Sequence, residues 1–190
     1  MAWTWRLSSV LVARGLLSVS ELCRALVRQA ISGGALDTVL LERELVSEHD
    51  LIDAIAQAKG FAPMPADLDE AIDPAVAEEV PALAATVFGI CPLGRRNGAL
   101  AILASEQTDF VMLEELAFEL GCTISAYAAT EVRVSQARNL LYGETVPPRL
   151  GVLLDRLGPR PAVDLRQYMR YLTAEERAVV KSQLPACDMG

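Results

Sequence analysis

The sequence contains few residues of several chemically active kinds. It has one histidine, His49, and two lysines, Lys59 and Lys181, and only 5% of its residues are aromatic. A single histidine excludes a Ser–His–Asp triad and a zinc site built from several histidines. No G-x-x-x-x-G-K-[ST] string occurs, so the loop that cradles the phosphates of ATP is missing. These absences predict that the chain is not an enzyme and holds no metal or other cofactor.

Cysteine and long apolar runs are also scarce. The four cysteines, Cys23, Cys91, Cys122 and Cys187, are scattered and form no C-x-x-C pair. We therefore interpret them as small, buried apolar residues in a reducing compartment. No apolar run approaches the roughly 20 residues that span a bilayer. Together these features predict a cytoplasmic protein without an integral membrane segment.

The composition is that of a globular and acidic protein. Of 190 residues, 52% are apolar and 22% charged, and the formal net charge is −8. A chain of this length can form one good-sized core or two small ones. An acidic surface gains no counterion-release energy on nucleic acid and is repelled by anionic lipid. We therefore expect no nucleic-acid partner and favour a protein partner, which an acidic surface would attract if it is basic.

A stretch near the N-terminus occurs twice, at residues 6–29 and again at 35–58, with an offset of 29 positions. Self-similarity at a fixed period identifies the building unit of a fold. Apolar residues recur at helical spacing in both copies, which predicts two helical hairpins that superpose on each other. The matching pairs are Leu7 and Leu36, Val10 and Val39, Leu11 and Leu40, Leu16 and Leu45, Leu22 and Leu51, Ala25 and Ala54, and Leu26 and Ile55.

Each copy has its own signals for the start of its second helix. Ser18 and Glu21 form an S-x-x-E capping box, in which each side chain satisfies a backbone donor at a helix start. Ser47 and Asp50 repeat this arrangement in the second copy. Gly15 supplies the position at which a first helix ends in the left-handed region. We therefore predict helices that begin near Ser18 and Ser47.

The rest of the chain divides into an acidic linker at 61–74, a small α/β subdomain at 75–143 and a helical C-terminal extension at 144–190. Within the subdomain the order β-β-α-β-α is predicted, because Asn97-Gly98 between two apolar runs is a strong hairpin signal. The predicted strands are 86–92, 99–103 and 122–128, and the predicted helices are 108–120 and 130–142. The predicted fold class is α+β, with two N-terminal helical hairpins (1–60), a three-stranded α/β sandwich and a helical extension.

The first repeat resembles the 24-residue motif of the N-terminal domain of type II secretion and type IV pilus assembly ATPases, called GspE-N or MshE-N. The motif is Arg-Leu-Gly, then a leucine, a glycine, two aliphatic residues, L-x-x-x-L and a glutamine. Only Ser8 departs from it, where the family has glycine. The matching residues are Arg6, Leu7, Leu11, Gly15, Leu16, Leu17, Leu22, Leu26 and Gln29. Later matches are Asp73-Pro74, Val80-Pro81, Cys91-Pro92-Leu93, Thr108-Asp109, Gly121 and Leu141-Tyr142-Gly143. The resemblance implies the regulatory domain of such a motor, standing alone without its ATPase domain.

In that family the two motif copies can jointly hold cyclic di-GMP. The resemblance implies as candidate ligand residues Arg6, Leu7, Ser8, Leu11, Gly15, Gln29, Leu36 and Leu40. The second copy has lost the matching polar residues, since Ala35, Asp37, Glu44 and Ala58 stand at the motif positions. A carboxylate about 4 Å from a phosphate costs roughly 4 kcal/mol at an effective dielectric near 20.

These substitutions favour a non-catalytic regulatory or protein-interaction module with a degenerate cyclic di-GMP site. The alternative is a cyclic di-GMP receptor that controls secretion, pili or motility. Such a receptor would use half a site, completed by a second protomer or by Arg149.

Arg149-Leu150-Gly151 repeats the start of the motif, although an ordinary amphipathic turn also explains it. The extension carries more large apolar residues than a tail needs. We predict that these residues bind a partner, such as a secretion, pilus or signalling component. They are Leu153, Leu157, Leu165, Tyr168, Met169 and Leu172.

Overall fold

The structure, a computed structural model, describes residues 2–65 and 67–158, without the side chains of residues 2–6 and Asp69. It contains ten helices and four strands in these ranges. The four helices of the two hairpins are α1 (Ala2–Ala13), α2 (Val19–Ser32), α3 (Leu36–Glu42) and α4 (Glu48–Lys59). No helix in these ranges combines the length and apolar character needed to cross a membrane.

The second helix of each hairpin begins at an equivalent position, since Val19 and Glu48 are 29 residues apart. Ser18 accepts from the backbone of Glu21, and the Glu21 carboxylate returns to the Ser18 backbone, so the predicted capping box is present. Ser47 accepts from the Asp50 backbone at the start of α4. Leu7 and Leu36, the first leucines of the two copies, are 1% and 0% exposed in the same core cluster. These two leucines therefore occupy similar buried environments.

The elements after the hairpins form a sheet and the helices that cover it. They are β1 (Ala62–Pro63), α5 (Leu68–Ala71), α6 (Val76–Glu79), α7 (Ala82–Phe88), β2 (Ile90–Arg96), β3 (Ala99–Ala104), α8 (Phe110–Glu119), β4 (Ile124–Ala128), α9 (Glu131–Tyr142) and α10 (Pro148–Leu157). Among the described residues the strand order is β1-β4-β3-β2. β2 and β3 are antiparallel, whereas β4 is parallel to β3 and β1 is parallel to β4.

The turn between β2 and β3 is the one the sequence predicts. Asn97 and Gly98 both have positive φ, 51° and 82°, and they join the paired residues Arg96 and Ala99. Two such residues form the type I′ turn that fits the twist of a hairpin. The dipeptide therefore sets the register of β2 against β3.

The sheet differs from the prediction in two ways. It has four strands rather than three, because the Ala62-Pro63 dipeptide, which lies in the segment predicted as a linker, pairs with β4. A two-residue strand with a proline lacks the alternating pattern that identifies strands in a sequence. Residues 86–88, predicted as strand, end α7 instead, and the strand starts at Ile90 after Gly89 turns the chain in the left-handed region.

Both faces of the sheet are buried. Along β3, Leu100 and Ile102 pack in a cluster with Leu113 of α8, whereas Ala101 and Leu103 pack on the opposite face with residues of α9. A strand buried on both faces reads as a continuous apolar run, as this one does. The helical hairpins form a third cluster, which also includes the start of α9 and much of α10.

Candidate functional site

The leucines predicted to contact a ligand are core residues. Leu7, Leu11, Leu36 and Leu40 are between 0% and 1% exposed and pack in one cluster. Ser8, another candidate, is only 4% exposed. A ligand could reach these side chains only if the hairpins separated, so in this structure they hold the hairpins together instead.

Gly15 and Gln29, two other candidates of the first copy, lie at or near the surface. Gly15 has a φ of 69° in the turn that follows α1. The Gln29 amide donates to the carbonyl oxygen of Gly34 at 3.0 Å. Arg6 lies within α1, and its side chain is outside the described part of the chain. The structure therefore places Gln29 beside the start of the second copy.

Asp37 of the second copy does not face solvent, because it is 0% exposed. Its Oδ2 accepts from the backbone N–H of Glu131 at 2.7 Å, and its Oδ1 accepts from the N–H of Thr38 at 2.7 Å. The first bond caps the start of α9, where the Thr130 side chain makes no cap bond. A carboxylate at a helix N-terminus is favoured by the helix dipole. Asp37 thus joins the second repeat to α9.

Two further carboxylates satisfy the start of α3. Glu106, in the turn after β3, accepts from the N–H of Leu36 at 2.7 Å. Glu131 accepts from the Thr38 hydroxyl at 2.5 Å. Because Asp37 in turn caps α9, hydrogen bonds join the starts of α3 and α9 in both directions. We call Asp37, Glu106 and Glu131 the carboxylate joint.

Burial shapes the protonation of the carboxylate joint. Burial, and then the charge of Glu106, raises the pKa of Asp37 well above its usual range. Burial also raises the pKa of Glu106, although bonds from the α3 backbone and the charge of Lys59 oppose this shift. The Glu106 Oε2 atom is buried and has no hydrogen-bond partner among the described residues. Both shifts favour keeping a proton in the joint.

A buried ion pair also fixes the second repeat to α9. Arg133 is 0% exposed, and its Nε and Nη2 donate to the Glu48 carboxylate at 2.7 Å each. Its Nη1 donates to the carbonyl of Gly158 at 2.9 Å. Sequence reasoning missed this pair. One sequence signal points to the pair. Glu48 lies 29 positions after Val19, so the second copy has a charged residue where the first has an apolar one.

The α10 helix repeats a sequence spacing found in the first copy. Its Arg149 is followed by a glycine nine positions later, Gly158, as Arg6 is by Gly15. The Arg149 guanidinium donates to Glu42 at 2.5 and 2.8 Å and to the carbonyl of Gly33 at 2.8 Å. The guanidinium thus covers the link between α2 and α3.

The α10 helix is part of the core, which corrects the prediction that its leucines form a docking surface. Leu153 is 2% exposed, and the half-buried Leu157 packs on the hairpin cluster. An amphipathic pattern indicates a buried face without saying what buries it. The other predicted partner residues, Leu165, Tyr168, Met169 and Leu172, lie outside the described residues.

The cysteines differ in their surroundings. Cys91 is buried, and burial raises its pKa to about 12. Cys23 is exposed on α2 and Cys122 is half-buried, so the prediction of uniformly buried cysteines is wrong for Cys23. Cys187 lies outside the described residues. Within 2–65 and 67–158, no group of three or more potential metal ligands comes together.

Parts of this chain are similar in sequence to a known domain family and to a known protein. Residues 62–147 match the model of the MshEN domain family. The type IV pilus assembly ATPase PilB of Myxococcus xanthus is 26% identical over 143 residues, or 75% of this chain. The chain spans only 25% of the length of that relative.

Solved structures of other proteins are similar in fold to this chain. A structure of MshE with cdg, cyclic di-GMP, matches 72% of this chain and 98% of that chain, with 25% identity and a TM-score of 0.57. The N-terminal domain of XpsE matches 74% of this chain and 96% of that chain, with 21% identity and a TM-score of 0.48.

Proposed function

We propose that this chain, which carries an MshEN domain at residues 62–147 and resembles the N-terminal domains of secretion and pilus assembly ATPases, is a non-catalytic regulatory module. In this proposal it acts in the bacterial cytoplasm through contacts with a protein of a secretion, pilus or signalling system. Its cyclic di-GMP site has degenerated. The sequence offers no loop for ATP phosphates, which agrees with a role other than catalysis.

The carboxylate joint is the observation that carries this proposal. A helix start binds anions through its free N–H groups and its dipole. At the start of α3 the Leu36 N–H already donates to Glu106, and Asp37 is committed to α9. An anionic ligand arriving there would have to displace buried carboxylates of the same charge sign. The second copy therefore favours an internal contact over a phosphate.

The position of Arg149 supports the same proposal. A guanidinium is a group that can recognise a phosphate or a guanine. The Arg149 guanidinium instead makes a bidentate contact with the Glu42 carboxylate and donates to the Gly33 carbonyl. Gly34 lies so close that a Cβ there would be 2.7 Å from the Arg149 Nη1 atom. A bidentate carboxylate pair is among the stronger contacts an arginine makes. Arg149 would have to abandon it to bind a nucleotide.

Isothermal titration of the purified chain with cyclic di-GMP tests the proposal. We expect no saturable heat at ligand concentrations that saturate a micromolar site. Micromolar binding that disappears in Arg6→Ala would overturn the proposal. The matched control is Arg14→Ala, which removes an arginine at the end of the same segment whose partner is Asp53 at 4.0 Å. A loss of binding in both variants would indicate a nonspecific charge effect.

The alternative function is a cyclic di-GMP receptor. It is favoured by the relative that was solved with this ligand, and by Arg6, Leu7 and Gln29, which keep the ligand-type chemistry of the first copy. In this case Arg149 would serve the second half of the site. Binding that is weakened by Arg149→Ala as well as by Arg6→Ala, but not by Arg14→Ala, would establish the receptor role.

A further inference from the structure

Within residues 2–65 and 67–158, the sheet is protected along its edges except at one place. On the outer side of β2, the N–H of Asp73 donates to the carbonyl of Leu93 at 2.7 Å, and Arg96 donates to the carbonyl of Ala71. At the opposite edge, β1 is two residues long and contains Pro63. Short strands, proline and covering segments are the ways in which proteins block unwanted strand pairing. The first half of β4 has none of these.

The backbone of β4 alternates between its two neighbours. The carbonyl of Thr123 accepts from Leu100 on the β3 side, whereas the carbonyl of Ala128 accepts from Met64 on the β1 side. Because successive residues point to opposite sides, Ile124 and Ala126 turn their backbone groups to the β1 side. β1 pairs only with Tyr127 and Ala128. The Ile124 groups and the Ala126 N–H therefore lie beyond the paired stretch.

A groove of about 500 Å³ runs along this open edge between β4 and α8. Its floor and walls are largely apolar and include Phe61, Phe110, Leu113, Ala117 and Ile124. The rings of Phe61 and Phe110 are 5.2 Å apart and close one end. At the other end, Ala117, Cys122 and Thr123 also line a second, shallower concavity that contains Phe118. Phe118 is 88% exposed. The edge and the apolar surface are thus continuous.

The helix α8, which forms one wall of the groove, is acidic. α8 contains Glu114, Glu115 and Glu119, all exposed, and no lysine or arginine. Glu114 lines the groove itself. Opposite charge on a partner would steer its approach and set its orientation. The carboxylates of α8 therefore favour a basic partner.

We propose that the groove between β4 and α8, which we call the β4–α8 groove, binds an extended basic segment of another protein. The segment adds a strand beside Ile124–Ala126, its alternate apolar side chains enter the groove, and its lysines or arginines face the α8 carboxylates. Strand addition takes affinity from main-chain bonds and specificity from alternate side chains. This inference rests on the proposed interaction role and names the chemistry of the partner.

The test uses the full chain and a fluorescein-labelled peptide, Lys-Thr-Val-Thr-Val-Thr-Lys, with fluorescence anisotropy as the readout. We expect saturable binding that weakens at least about tenfold when glutamates replace both lysines, because repulsion replaces attraction. N-methylation of the amides on one edge of the peptide removes the donors that face β4. The peptide has two alternate sets of amides, one on each edge. Methylation of the set that faces β4 should therefore abolish binding, whereas methylation of the other set should leave it intact.

Protein variants locate the site. Glu114→Lys with Glu115→Lys should weaken binding at least about tenfold, whereas Glu70→Lys with Glu78→Lys, the same charge change at exposed positions outside the groove, should change it less than about twofold. Ala117→Trp should fill the groove and abolish binding. If this variant and the control pair both melt like the wild type, a failure to fold does not explain the result.

Several results would overturn the inference. These are no saturable binding, equal loss from both methylation sets, or equal effects of the two charge-reversal pairs. If sedimentation shows that the wild type is a dimer and the Ala117→Trp variant a monomer, a second copy of the chain is the occupant instead. Binding that appears only after deletion of residues 159–190 would identify that segment. None of these outcomes depends on cyclic di-GMP, so calorimetry tests the proposed loss of its site independently.

Discussion

The two copies of the N-terminal repeat have the same local structure and opposite surroundings. In the first copy, α2 lies at the surface and exposes Val19, Val27 and Ile31 by 61% or more. In the second copy, α3 and α4 are buried against the first copy, the sheet, α9 and α10. The same pattern of leucines and caps therefore forms a hairpin at the outside of the molecule and another at its centre.

The differences in sequence follow the differences in surroundings. Where the first copy has Ser8 and Val19, the second has Asp37 and Glu48. Both acidic residues are buried, and both bond to the first turn of α9. A buried charge is tolerated only when it is paired or neutralised. The second copy therefore gained contacts with α9 at two positions, and one of them, Asp37, stands where the motif has a glycine.

The largest expected effect comes from exchanging residues between the copies at the buried ion pair. Glu48→Val imports the first copy's residue and leaves Arg133 charged and unpaired in the core. We expect a loss of roughly 3–5 kcal/mol in the free energy of unfolding, measured by urea denaturation. The reciprocal Val19→Glu, at a position 64% exposed, should change it by less than about 0.5 kcal/mol.

The double variant Glu48→Val with Arg133→Met provides the control for this exchange. It removes both charges, so most of the lost stability should return. If Glu48→Val alone were as mild as Val19→Glu, the proposed difference between the copies would be contradicted.

The next effect tests whether α10 is part of the hydrophobic core. Leu153 is 2% exposed, and its neighbour Val152 is 72% exposed. We expect Leu153→Ala to lower the free energy of unfolding by about 2–5 kcal/mol, because it leaves a cavity. Val152→Ala should be close to neutral by the same denaturation measurement. Near-equal effects would restore the docking role predicted for this helix.

A third prediction concerns pH and the carboxylate joint. Because the pKa of Asp37 is raised in the folded state, its favourable contribution is complete at low pH and is lost as pH rises through the folded pKa. Stability should therefore fall as pH rises from the usual range of an aspartate, by at most about 1.4 kcal/mol per pH unit for one proton. Denaturation at several pH values measures this slope.

The variant Asp37→Asn removes the titrating group and should reduce the slope. Asp155→Asn, at an exposed position on α10, should keep the slope of the wild type. A slope unchanged by Asp37→Asn would exclude Asp37 as the group that takes up the proton.

The smallest effect concerns the turn that ends the first helix of each copy. Gly15 and Glu44 occupy equivalent positions with φ of 69° and 52°. Left-handed backbone costs a residue with a side chain about 1–2 kcal/mol, and glycine almost nothing. We expect Glu44→Gly to raise the free energy of unfolding by about 1 kcal/mol, reduced by the loss of the exposed ion pair with Arg156. Gly15→Ala should lower it by a similar amount, and a destabilised Glu44→Gly variant would contradict this account.

The sequence by itself determined the local elements of this protein. The caps at Ser18 and Ser47, the turn at Asn97-Gly98 and the apolar pattern of the repeat were readable because each depends on residues within a few positions of one another. These signals act through backbone geometry and nearest-neighbour bonds. The leucines, glycine and glutamine of the first repeat carried the resemblance to the MshE-N domain, which the family match over residues 62–147 and the MshE structure support.

Only the tertiary structure decided how these elements are used. The bond of Leu36 to Glu106 joins residues 70 positions apart, that of Asp37 to Glu131 joins residues 94 apart, and that of Arg149 to Glu42 joins residues 107 apart. An aspartate at a helix start has the same local signature whether it faces solvent or another helix. The partner that buries it, and raises its pKa, is set by chain packing at long range, which no local pattern encodes.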